Sequence, residues 1–175
     1  GVDDLAREHA GLLALAALER VELGAQVERH VRGEHLHLLV LLIAEAVDEA
    51  CREAANGETV APANYNSPEQ TVIAGHAAAV ARASEACLAR GAKRAIPLQV
   101  SAPFHCALMS PARERMAPLL AEAPFSDAAL PVVTNVDAEP ETAGGRLRDA
   151  LVRQIDSPVR WVASVQRLAR EGVDR

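Results

Sequence analysis

Val60-Ala61-Pro62-Ala63-Asn64-Tyr65, then Asn66-Ser67-Pro68-Glu69, then Thr71-Val72-Ile73-Ala74 is the stretch on which the fold turns. Two short apolar runs flank a cluster of turn formers, which reads as two strands joined by a loop. Working outward, Gly75 opens a helix expected to run to residue 90 and to close at Gly91. Val80, Ser84, Cys87 and Leu88 mark its inner stripe. Residues 95–100 read as a further short strand. Upstream, residues 45–55 are helical, with Ala46, Val47, Ala50, Cys51 and Ala54 inward and Asn56-Gly57 as the stop. The apolar run 36–43 fits a buried strand or a helix start. This order of elements fits a split βαβ, ferredoxin-like unit over residues 35–98.

The flanks read differently. Residues 1–34 carry a loose helical pattern through Leu5, Leu12, Leu13, Leu15, Leu18, Val21 and Val27. Residues 99–175 alternate: a helix over 111–123, a strand over 131–136, a helix over 147–155. After Ser157-Pro158 comes an amphipathic helix with Val159, Val162, Val165 and Leu168 on one stripe. The expected class is α/β, and the sequence ends as though inside an α/β unit.

Composition removes several functions. The 175 residues hold 24 acidic and 18 basic side chains, for a formal charge of −6. Half are hydrophobic but only 2% aromatic, so Ala, Leu and Val make the core. A mildly acidic chain with so few rings lacks the basic patch and stacking platform of a nucleic-acid binder. No run approaches the roughly 18 apolar residues of a membrane span, and no leader pattern opens the sequence. Cys51, Cys87 and Cys106 form neither a CxxC pair nor a zinc spacing, which fits reduced thiols in the cytoplasm. His9, His30, His35 and His37 crowd the opening stretch without metal-ligand spacing, so no metal is expected there.

Chemistry concentrates in Ser101-Ala102-Pro103-Phe104-His105-Cys106-Ala107-Leu108-Met109, a proline-bounded loop between a strand and a helix. A histidine beyond a strand end can serve as general base near neutral pH, or it can cap the next helix or pack on Phe104. Asn64 and Asn66 suit either a turn or a polar ligand. Leu151-Val152-Arg153-Gln154-Ile155 ends a helix and leaves backbone carbonyls that need donors, for which a histidine N–H would serve.

Five segments, in order, resemble the malonyl-CoA:acyl carrier protein transacylases: residues 62–76, 101–109, 131–137, 150–154 and 157–161. The resemblance covers about residues 45–175. It implies an α/β-hydrolase-like body with an inserted ferredoxin-like subdomain. It also implies transfer of malonyl from coenzyme A, through a serine ester, to the phosphopantetheine thiol of acyl carrier protein, with no bound cofactor. On that resemblance His105 is the general base and Gln154 orients it through a backbone carbonyl, in place of the usual carboxylate. Asn66, with Asn64 beside it, lies near the acyl pocket. Phe104 crowds an α-methyl branch and favours malonyl, and Arg32 is the candidate partner of the malonyl carboxylate.

The sequence departs from the family at the nucleophile. No Gly-X-Ser-X-Gly elbow occurs in it, and the Gly-Gln-Gly loop of the oxyanion hole is missing. Ser101, Cys106 and Ser110 carry no elbow signature and are expected to be structural. The chain is therefore expected to be a partial form of the acyltransferase of fatty acid synthesis, inactive by itself. Two alternatives are a non-catalytic acyl-carrier-protein-binding module, with Arg90, Lys93 and Arg94 as its basic patch, and a piece of a polyketide synthase acyltransferase domain.

Overall fold

The computed structural model describes residues 34–40, 42–98, 100 and 102–173. Strand β1 (Glu34–Val40) leads into helix α1 (Ala44–Ala54), the hairpin β2 (Val60–Ser67) and β3 (Gln70–His76), helix α2 (Ala77–Ala89) and strand β4 (Arg94–Leu98). The four strands form one antiparallel sheet in the order β2-β3-β1-β4. The run at 36–43 is thus a strand, which starts and ends earlier than its apolar residues do. Each helix connects two parallel strands that have one antiparallel strand between them, the kind of crossover parallel strands require.

Both helices cover one face of the sheet. Val47, Ala50, Cys51 and Ala54 of α1 and Ala79, Val80, Ala83 and Cys87 of α2 pack with Val60 and Ile73 in one cluster. Alanine dominates this layer, so the helices can approach closely without bulky side chains between them. Leu88, expected on the inner stripe, is instead 45% exposed, and Ala79 and Ala83 take that place. The helix starts at Ala77, and its buried face runs through Ala79, Val80, Ala83, Ser84 and Cys87. Burial pushes the Cys51 thiol up to about 12 and the Cys87 thiol up to about 11.

Local chemistry ends these helices. Gly91, at φ +100°, allows the amide of Ala92 to reach back to the carbonyl of Cys87 at 2.9 Å, closing α2 in a left-handed cap. The last carbonyls of α1 have another donor. Arg82 of α2 sends Nε and Nη2 to Ala54 O at 3.0 and 2.8 Å and pairs with Glu58 at 2.8 Å. One guanidinium therefore caps α1 and ties it to α2. Gly75, placed in β3 rather than in a helix, faces a different constraint. A Cβ there would stand 2.1 Å from Thr59 O.

The opposite face of the sheet carries Ala63, Val72 and Ala74, and against them lies Cys106 with Leu98 and Leu108. Beyond this loop come a 3-10 turn (Ala107–Met109) and helix α3 (Ser110–Glu122). A two-stranded sheet follows, β5 (Val132–Val133) with β6 (Pro140–Glu141), then α4 (Gly144–Arg153) and α5 (Trp161–Arg170). The expected strand over 131–136 shortens to two residues because residues 135–137 turn. The stripe on the last helix is not buried: Ser164 is its buried residue, while Trp161 is 53% and Val165 44% exposed. Among the described residues no helix is long and apolar enough to cross a membrane. The helical expectation for residues 1–34 falls outside the described residues up to residue 33, while Glu34 opens β1.

Two outcomes test this packing. Gly75→Ala should cost about 1–3 kcal/mol in urea denaturation, as overpacking against fixed backbone does. Cys51 and Cys87 should resist a thiol reagent at pH 8 in the native protein and react fully in denaturant, since protonated buried thiols are poor nucleophiles.

Candidate active site

His105 is built into position by its neighbours in sequence. Pro103 and Cys106 are buried, and the Cys106 thiol donates to Pro103 O at 3.2 Å, pinning the loop on the sheet's free face. Between them the backbone of His105 takes φ +61°, a left-handed conformation that non-glycine residues adopt at a cost of roughly 1–3 kcal/mol. From that turn the imidazole reaches the end of α4. Its Nδ1 lies 2.8 Å from the backbone carbonyl of Gln154.

Gln154 is the C-cap of α4, and its amide still donates to Ala150 O at 2.9 Å. Its own carbonyl has no donor further along a helix, so an imidazole N–H fills an empty place. A carbonyl can only accept, which requires Nδ1 to carry the proton and leaves Nε2 bare in the neutral ring. The arrangement can thus hold a histidine as a proton acceptor at Nε2.

Three sets of contacts surround the end of α4. Asn135 Nδ2 donates to Gln154 Oε1 at 3.2 Å. Asp137, in the same turn, receives Arg153 in a fork, with 2.7 Å from Nη1 and 2.6 Å from Nη2. On the other side Asp156 receives Arg113 Nη1 at 3.2 Å and lies 3.1 Å from Ser110 Oγ. Segment 157–160 also docks on the first sheet: Val159 bridges Asn64 in parallel, the Val159 amide donates to Ala63 O at 2.8 Å, and the Tyr65 amide donates to Val159 O at 2.9 Å. The Arg160 amide then donates to Asn135 O at 3.0 Å. Tyr65 donates its hydroxyl to Asp48 at 2.9 Å, and burial together with this bond raises its phenol above the usual range.

The structure brings His105, Gln154 and the backbone of Asn64 into one connected arrangement. Phe104 is 42% exposed, and Asn66 is exposed at the end of β2. Arg32 and Ser101 lie outside the described residues, as do His9 and His30. Among the described residues no group of three His, Cys, Asp or Glu side chains could hold a metal. Ser110 is shared between Asp156 and Ala107 O at 2.8 Å, and Cys106 is engaged by Pro103 O. Neither faces a base as a nucleophile would. Of the basic patch, Arg90 is paired with Glu53, while Lys93 and Arg94 are exposed. Two open clefts, of about 380 and 460 Å³, share Asp149 and Arg153 of α4 in their walls, and neither is lined by His105.

Sequence reasoning missed Asn135, Asp137 and Asp156 as supports. Nothing in local spacing announces that residues 16 to 46 positions apart will pair. Only the turn-forming run Asn135-Val136-Asp137 and the helix-ending Asp156-Ser157-Pro158 offered a signal.

No family model matches the chain. Curated relatives do. It is 54% identical over 129 residues to the malonyl CoA-acyl carrier protein transacylase of Escherichia coli O157:H7, covering 74% of this chain and 42% of that protein. It is 44% identical over 160 residues to the protein of that name from Haemophilus influenzae, covering 90% and 51%. Among solved structures, an acyl carrier protein S-malonyltransferase from Vibrio cholerae superposes with a TM-score of 0.83 at 45% identity, covering 90% of this chain and 53% of that one. A malonyl transacylase solved with the acyl carrier protein of a type II polyketide synthase gives 0.83 at 44% identity, covering 90% and 52%. The chain spans about half the length of the curated relatives it matches.

The Arg153–Asp137 fork makes a pH prediction. Arg153 holds the Asp137 carboxyl below the usual range, so its contribution to stability is complete above the unfolded value, near pH 4, and disappears as pH falls through the lower folded value. Both side chains are more than a third exposed, so screening limits the contribution to about 0.5 kcal/mol. Melting curves between pH 2 and 6 should show Asp137→Asn less stable than the parent at pH 6, with the gap closing on acidification.

Proposed function

Because this chain belongs to the malonyl CoA-acyl carrier protein transacylase family over the residues matched, we propose that it supplies the basic half of a malonyl-transfer site in fatty acid synthesis. The observation that carries the proposal is the 2.8 Å contact between His105 Nδ1 and the Gln154 carbonyl. It leaves Nε2 as the acceptor that a serine hydroxyl needs.

The chemistry then runs as a double displacement. His105 Nε2 takes the serine proton as the oxygen attacks the thioester carbon of malonyl-CoA. The tetrahedral intermediate collapses by breaking the carbon–sulfur bond, and the imidazolium returns its proton to the coenzyme A sulfur. The thiol of acyl carrier protein reverses these steps: His105 takes its proton, sulfur attacks the serine ester, and the serine oxygen leaves with the proton. The Gln154 carbonyl stays neutral throughout. It fixes the tautomer as a carboxylate would, with less stabilisation of the imidazolium. The serine, absent here as a Gly-X-Ser-X-Gly elbow, comes from polypeptide equivalent to the portion of the relatives that this chain does not span.

Around that centre, the ring of Phe104 is read as the wall that discriminates against an α-methyl branch, with Asn66 and Asn64 beside the acyl group. Such steric selection is worth about 1–3 kcal/mol. Arg32 remains the proposed partner of the malonyl carboxylate. Lys93 and Arg94 offer the positive charge that an acidic carrier protein would meet. We read residues 35–98 as a ferredoxin-like subdomain and residues 99–175 as part of an α/β-hydrolase-like body. The sheet order β2-β3-β1-β4 and its two helices on one face support the first reading. Cytoplasmic location is part of the proposal and fits three buried thiols without a disulfide.

A chimaera tests the reading. Residues 45–173 replace the matching segment of the Escherichia coli relative, and malonyl transfer from malonyl-CoA to acyl carrier protein is followed. The chimaera should be active, and His105→Ala in it should lose about 10²–10⁴-fold in kcat. Transfer that persists without His105 would overturn the assignment.

A further inference from the structure

Asp156 is the least exposed of the ion-paired carboxylates among the described residues: its side chain is only 9% exposed, and its cationic partner comes from the helix after the His105 loop. It lies two positions after Gln154, whose carbonyl faces His105. Its Oδ2 is 3.2 Å from Arg113 Nη1 and 3.1 Å from Ser110 Oγ. Both partners belong to α3, the helix that follows the His105 loop.

We propose that Asp156 is a positioning residue for His105, clamping the end of α4 to the start of α3 so that the Gln154 carbonyl stays on Nδ1. The inference rests on His105 being a base oriented by that carbonyl. The physical case is one of leverage. The His105 ring hangs from the N-terminal side of α3 and the carbonyl from the C-terminal end of α4. Apart from their own hydrogen bond, the pair that joins these two segments closest to the contact is Asp156 with Ser110 and Arg113. A mostly buried carboxylate must be satisfied, so it holds its donors more firmly than an exposed pair would. Hydrogen bonds to an ionised carboxylate are about twice as strong as neutral ones. If the two segments drift by an ångström, the hydrogen bond from Nδ1 is lost, and nothing then prevents the proton from moving to Nε2.

The tautomer is the readout that a merely structural role would not move. Ring nitrogen shifts of His105 are measured by long-range proton–nitrogen NMR on the intact chain, above the pH at which the ring is neutral. The parent should carry its proton on Nδ1. In Asp156→Ala the ratio of Nδ1–H to Nε2–H should fall by about threefold or more, the scale of one hydrogen bond. Asp156→Asn, whose amide oxygen still accepts from Ser110 and Arg113, should restore most of the parent ratio. The double variant Ser110→Ala/Arg113→Ala approaches the same link from α3 and should reproduce the effect even if Asp156→Ala does not fold. Folded variants with the parent ratio would overturn the inference alone. A parent that carries its proton on Nε2 would overturn the base assignment, and the inference with it.

Discussion

A helix leaves its last carbonyls without donors, and at the end of α4 one of them meets an imidazole from 49 residues away. The arrangement around the site depends on that meeting. It requires α4 to end at Gln154, which Asp156-Ser157-Pro158 ensures by leaving the helix there. It requires His105 to adopt a left-handed backbone, which Pro103 and Cys106 hold by being buried on either side. It also requires the loop and the helix end to be carried on a common support. That support is the four-stranded sheet, which takes the His105 loop on its open face and segment 157–160 along β2. Strain at one residue is tolerated because the surroundings leave the ring no better place.

The sheet can serve two layers because residues 71–75 of its central strand β3 are small or β-branched. Ile73 faces the helices, while Val72 and Ala74 face the loop. The scarcity of aromatic residues follows the same logic. A ring in either layer would lift the helices or the loop away from β3. The aromatic residues sit at the margins, with Tyr65 tied to Asp48, Phe104 at the site and Trp161 half-exposed on α5. On the face of α5 the exposed Trp161 and Val165 leave an amphipathic helix with one covered side only.

Much of this was legible in the residues. The hairpin at 60–76, both helix stops at Asn56-Gly57 and Gly91, and the place of His105 follow from turn chemistry and periodicity, which are local. Boundaries were less legible. Gly75 reads as a helix start from its neighbours, yet it pairs with Val60 and His35 in the sheet, and Thr59 passes too close there for any side chain. Leu88 looks like core by spacing and is exposed because the buried face of α2 is centred on Val80, Ala83 and Cys87. The supports of the site were not legible. Asp137 and Arg153, or Asp156 and Arg113, are ordinary surface-type residues until the chain folds and sets them opposite each other. Recognition of the family carried the pairing of His105 with Gln154, since spacing alone favoured a histidine that caps the next helix or packs on Phe104.

The account stands on the direction of one hydrogen bond. Scalar coupling through that bond, from the His105 Nδ1–H group to the carbonyl carbon of Gln154, is measurable by NMR on the labelled chain. A cross-peak linking the two, with Nε2 unprotonated, is the predicted result. A bare Nδ1, or an Nδ1 proton coupled to any other carbonyl, would contradict the claim that this chain holds a histidine ready to act as a base.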